Sequence, residues 1–111
     1  MVQTSSNGAD LRRYQRIAVP GDAGIRVLGR PPGPDVEGNA TVISLNGMFC
    51  RTHARLAAGT VLNLVLQSPA VSVELQGTVR HANEQGVGIE FTGCTEENRQ
   101  RLKDLLLRLR A

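Results

Sequence analysis

The chain has 111 residues, 41% hydrophobic and 21% charged, with 13 basic against 10 acidic side chains for a net charge of +3. That length suits one domain with its own core, and the balance excludes a disordered or fibrous chain. No apolar run approaches the roughly 18 residues of a membrane span, and the opening MVQTSSNGAD lacks the features of a secretory leader, so a cytoplasmic protein is expected.

Residues 1–11 are polar through Thr4, Ser5, Ser6, Asn7 and Gly8 and are expected to form a flexible arm, with the domain proper over 12–111. The arm leads into LRRYQR, where Arg12, Arg13 and Arg16 crowd together. Ile17 and Val19 then alternate, Pro20, Gly21 and Asp22 break the run, and Ile25-Arg26-Val27-Leu28 resumes it. Three prolines within 31–34 make residues 29–34 a loop, because proline cannot donate to a ladder. Strands are predicted at 40–45, 47–52 and 61–67. The clearest strand is 71–80, with Val71, Val73, Leu75 and Val79 on one face and Ser72, Glu74, Gln76, Thr78 and Arg80 on the other. Gly77 falls on the inner face, which marks a bulge or sharp bend. Residues 83–86 read as a turn, and Val87, Ile89 and Phe91 share one face of the returning strand.

After Gly93 the period changes. Thr95 is the expected N-cap, Glu96 and Glu97 suit the first turn, and Leu102, Leu105, Leu106 and Leu109 form one helical stripe. Arg108 and Arg110 close the last turn. The leucine face either packs on the domain or serves a partner or membrane surface. Short strands over about 15–92 and a helix over about 95–110 together predict a mainly β fold, an antiparallel barrel with a C-terminal α-helix as lid.

No GxSxG, HExxH, P-loop or GxGxxG occurs, and Ser44 has no evident base, so no enzyme is expected. Cys50 and Cys94 lack a CxxC spacing and read as small hydrophobes in or near the core, with a disulfide or redox pair as the alternative. His53 and His81 are isolated surface or loop residues, and no ligand cluster implies a metal. Of the three aromatics, Tyr14, Phe49 and Phe91, the two phenylalanines read as core, which leaves no stacking platform for DNA or RNA.

Two segments remain. RRYQR precedes the first strand, and VISLNG, residues 42–47, comes about thirty residues later. A guanidinium fork can bond the O6 and N7 edge of guanine, grip phosphate, or stack on a base. Arginines on an arm, facing a strand-end serine and a glycine turn, could clamp a guanine nucleotide; a solvated charge cluster is the other reading.

The order RRYQRIAV, SLNGMFC, LAAGTVLNLVL, GVGIEF and a terminal helix resembles PilZ domains over nearly the whole chain past Leu11. That family carries RxxxR followed by [D/N]xSxxG. The resemblance implies a six-stranded antiparallel β-barrel that binds the bacterial second messenger cyclic di-GMP and signals to a partner protein. It assigns Arg12 and Arg16 to guanine and phosphate, Arg13 to a further phosphate contact, and Ser44 and Gly47 to the opposing wall. Val42 stands where the family has Asp or Asn, and valine cannot accept from a guanine N–H. The loss of one such partner predicts binding weaker by about 1–3 kcal/mol. Asn39, Thr41 and Asn46 are the nearby substitutes, with regular alternation setting Thr41 on the face opposite Val42. The alternative is a degenerate PilZ-like adaptor that binds a protein, such as part of a pilus or flagellar apparatus, without nucleotide.

Overall fold

The computed structural model describes residues 15–21 and 24–110. The predicted arm over 1–11, together with Arg12, Arg13 and Tyr14, lies outside the described residues. The elements are β1 (Ile17–Ala18), β2 (Arg26–Arg30), β3 (Val36–Ile43), β4 (Gly47–Thr52), β5 (Val61–Gln67), β6 (Ser72–Ala82), β7 (Gly86–Gly93) and α1 (Glu96–Arg110).

Six strands pair in the order β3-β2-β5-β6-β7-β4, and a β3–β4 ladder closes them into an antiparallel barrel. Closure removes the sheet edges that an open sheet of this size would expose. The period-two faces explain the core. Leu62, Leu64 and Leu66 of β5 meet Val73, Leu75 and Val79 of β6, with Val87 and Ile89 of β7 alongside. Val61, at the outer start of β5, is left exposed.

β3 is longer at its start than the sequence pattern predicts. Residues 36–39 read Val-Glu-Gly-Asn, a poor strand composition, yet they pair with β2 on one side, and Gly38 and Asn39 pair with Thr52 and Arg51 of β4 on the other. Pairing on both edges overrides weak intrinsic preference. β3 also stops at Ile43, because Ser44 and Leu45 already belong to the turn into β4. Where β2 leaves β3, β1 takes over the same edge, with Ile17 opposite Ile43 and Ala18 opposite Val42. The segment after Arg16 is thus stitched into the barrel, and the Val19 amide extends the stitch by donating to the Thr41 carbonyl at 2.9 Å.

β3 carries a bulge between Ala40 and Val42. Regular alternation from buried Ala40 would turn Val42 inward; instead Ile43 is the next buried residue, and Thr41 and Val42 both lie outside it, half-buried. The expected opposition of Thr41 and Val42 is therefore corrected: one extra residue re-aims the strand. A second register shift, between Gln76 and Gly77, falls where the inner-face glycine pointed to one.

α1 starts as its sequence dictates. The Thr95 hydroxyl accepts from the Asn98 amide at 3.2 Å, and Asn98 Oδ1 accepts from the Glu74 amide at 2.8 Å, which pins the first turn to β6. Leu102, Leu105 and Leu106 are buried in the barrel's core cluster. The leucine stripe thus packs on the domain. Among the described residues no helix is long and apolar enough to cross a membrane.

Two expectations about single residues need revision. Cys50 is buried, and desolvation pushes its thiol up to about 11 against the opposing backbone hydrogen bond at Asn39, whereas Cys94 is exposed in the loop before α1; both are free thiols. Phe91 packs against the core, but Phe49 does not. It stands on the outer side of β4, its ring 6.2 Å from that of His81 at an interplanar angle of 27°. The inward positions of β4 are taken by Met48 and Cys50, so alternation sends Phe49 out.

Candidate functional site

The β3–β4 turn is built by its own polar groups. The Ser44 amide donates to the Gly47 carbonyl at 2.8 Å, closing a two-residue loop over Leu45 and Asn46. The Ser44 hydroxyl donates to Asn46 Oδ1 at 2.7 Å and accepts from the Asn46 amide at 3.2 Å. Ser44 is 3% exposed, so these bonds satisfy a hydroxyl that water barely reaches. Its first role is to hold the turn. Gly47 permits close approach of two strands, because a Cβ there would lie 2.6 Å from the Ile89 carbonyl oxygen.

This turn forms one wall of an open groove of about 530 Å³, contributed by Ser44, Asn46 and Gly47. Val42 supplies an apolar patch, being there because of the β3 bulge, and the strand at Met48, whose side chain is buried in the core, borders the groove. Arg16 reaches the groove from the segment preceding β1. Three of the five expected site residues, Arg16, Ser44 and Gly47, therefore border one space, and Arg12 and Arg13 lie outside the described residues. Asn46 borders it too, whereas Asn39 and Thr41 do not. With its Oδ1 engaged by Ser44, Asn46 has its NH2 left to donate, which suits a base acceptor rather than a guanine N–H.

The far wall comes from β6 and β7 and includes residues that motif reading passed over: Arg80, His81 and Glu90. Arg80 Nε donates to Glu90 Oε1 at 2.6 Å across the two strands. Both side chains are about half exposed, so water screens the pair and it contributes only about 0–1 kcal/mol to stability. The His81 ring lies over Gly88, its cross-strand partner: a Cβ on Gly88 would meet the imidazole at 2.1 Å. The glycine is a bed for the ring. Two guanidinium groups, a flat imidazole, a donor amide and an apolar patch can together take a planar base that carries phosphate.

The model of the PilZ domain family matches residues 10–108, and the chain belongs to that family. Among curated proteins no sequence matches it. Solved structures with the same fold include MrkH of K. pneumonia in complex with c-di-GMP, at a TM-score of 0.74 and 19% identity over 88% of this chain and 51% of MrkH. The PilZ domain of YcgR from Escherichia coli with c-di-GMP superposes at 0.74 and 13% identity, covering 89% of this chain and 91% of that domain. The PilZ domain of CeSA from a cellulose synthesizing bacterium matches at 0.64 and 16% identity, covering 87% and 99%. The chain spans about half the length of MrkH, and at these identities the likeness is one of fold.

Proposed function

We propose that this PilZ domain is a non-enzymatic receptor for cyclic di-GMP that reports the second messenger to a partner protein. The observation that carries the reading is the meeting of Arg16 with the Ser44-to-Gly47 turn across one groove, the two halves of the family's binding motif. Arg16 has the fork needed for a guanine edge, and Arg12 and Arg13 follow the same motif toward phosphate. The turn offers backbone and the Asn46 amide, and Val42 gives a base an apolar surface. The c-di-GMP complexes of MrkH and of the YcgR PilZ domain support the choice of ligand.

Val42 favours a second reading, the adaptor that binds protein without nucleotide, since the groove holds an apolar side chain where the family motif has a polar one. One substitution separates them. Val42 is half-buried on the outer side of β3, so Val42→Asp brings a carboxylate to the groove without disturbing the core. In parallel calorimetric titrations Val42→Asp is expected to bind cyclic di-GMP about tenfold more tightly than the unaltered chain, the effect of one charge-assisted hydrogen bond. No uptake by either protein would hand the function to the adaptor.

A further inference from the structure

A second groove, of about 310 Å³, lies between α1, the segment leading into β1 and the β3–β4 turn. Its walls are Gln15, Ile17 and Leu45, with Leu106 and Leu107 of α1 opposite and Lys103 and Arg110 at the rim. Leu107, off the leucine stripe, is 65% exposed, while the four leucines of the stripe are buried or partly buried against the barrel. The helix's ion pairs engage Arg101 with Glu97 and Arg108 with Asp104. Among the described residues Lys103 and Arg110 have no carboxylate partner. An apolar slot between two cations that no described carboxylate pairs is complementary to an apolar side chain flanked by carboxylates. A bilayer is a poorer match, because a concave slot with one exposed leucine offers little area to insert.

The two grooves lie on either side of the same two backbone segments, while β6 and β7 close the first and α1 closes the second. Along the entering segment Arg16 borders the nucleotide groove while Gln15 and Ile17 border the helix groove. Along the turn Ser44 and Asn46 border the first while Leu45 borders the second. Alternate side chains of an extended segment point to opposite sides, so a ligand that fixes Arg16 also fixes the residues on either side of it.

We propose that the groove beside α1 docks an acidic amphipathic segment of a partner protein, and that cyclic di-GMP tunes this docking through the shared segments. The coupling rests on the receptor reading; the docking groove does not. Ordering Gln15 in advance, next to the Ile17 that the β1–β3 ladder already holds, removes part of the cost of docking, so each ligand tightens the other by the same factor, here about fivefold.

The test uses the full chain, labelled with ¹⁵N, and a short synthetic peptide whose leucine stripe is flanked by glutamates. A lysine-flanked counterpart and vesicles of anionic phospholipid serve as comparisons. The glutamate peptide is expected to bind saturably, shifting amide resonances of Ile17, Leu45, Lys103 and Leu107. Leu107→Asp and Lys103→Glu should each weaken it by about tenfold or more. Saturating cyclic di-GMP should tighten the peptide about fivefold, and not in Arg16→Ala. Equal binding of both peptides, or uptake by the vesicles without the peptide, would overturn the docking site. Nucleotide uptake that leaves peptide affinity unchanged would overturn the coupling while the receptor reading stands. Peptide uptake with no nucleotide uptake would leave the docking groove standing and overturn the coupling together with the receptor reading.

Discussion

Arg16→Ala is expected to weaken cyclic di-GMP binding by more than about a hundredfold while leaving the stability of the domain within about 0.5 kcal/mol of the unaltered chain. Both halves follow from position. Arg16 is exposed, precedes β1, and takes no part in the ion pairs among the described residues, so truncation removes nothing the fold uses. On the proposed reading its value lies in the groove, where a bidentate charged contact to the ligand would account for about 3 kcal/mol of binding. A thermal melt beside a calorimetric titration reads both quantities. Binding that survives would put the nucleotide in some other part of the surface, and a lowered melting temperature would give Arg16 a structural role.

Gly86→Ala should act in the opposite way, through stability first. A Cβ on Gly86 would lie 2.0 Å from the Cys50 carbonyl oxygen and 3.0 Å from Arg51 Cα. Those are backbone atoms of β4, to which β7 is laddered, so no side chain can swing aside. The two strands must part where the barrel is closed, at an expected cost of about 3 kcal/mol. For a domain of this size that lowers the melting temperature by roughly 10 °C or more. Ligand binding falls as well, because β7 supplies Ile89 and Glu90 to the groove. A variant that melts with the unaltered chain would show that the strands tolerate separation and that the glycine of GVGIEF serves something other than this approach.

These two residues also mark what the sequence makes legible. The barrel shows through wherever an outward polar face alternates with an inward apolar one, as in β6, and the helix through its leucine stripe and Thr95 cap. Residues 36–39 escape such reading, because Glu-Gly-Asn becomes strand only through pairing on both edges. The Thr41–Val42 bulge is likewise a property of the β3–β4 pair; no local composition announces it, and it alone turns Val42 toward the groove. Arg16, Ser44 and Gly47 were visible as motif residues. His81 over Gly88 could be counted off from the 83–86 turn, since the register runs Ala82 to Val87 and His81 to Gly88. Arg80 with Glu90 could not, because the register slips between Val79 and His81 and only that slip brings the two side chains together. Ser44 shows a further limit: a motif gives a residue's position, and the hydrogen bonds to Asn46 give it a structural role as well.

The central claim, that Arg16 and the Ser44-to-Gly47 turn bind a cyclic dinucleotide, is tested most directly by one calorimetric titration of the full chain with cyclic di-GMP, with GTP as control. The expected result is saturable uptake of cyclic di-GMP, weakened by Val42 yet measurable, and no comparable heat with GTP. Absence of heat from cyclic di-GMP in the unaltered chain and in Val42→Asp alike would contradict it.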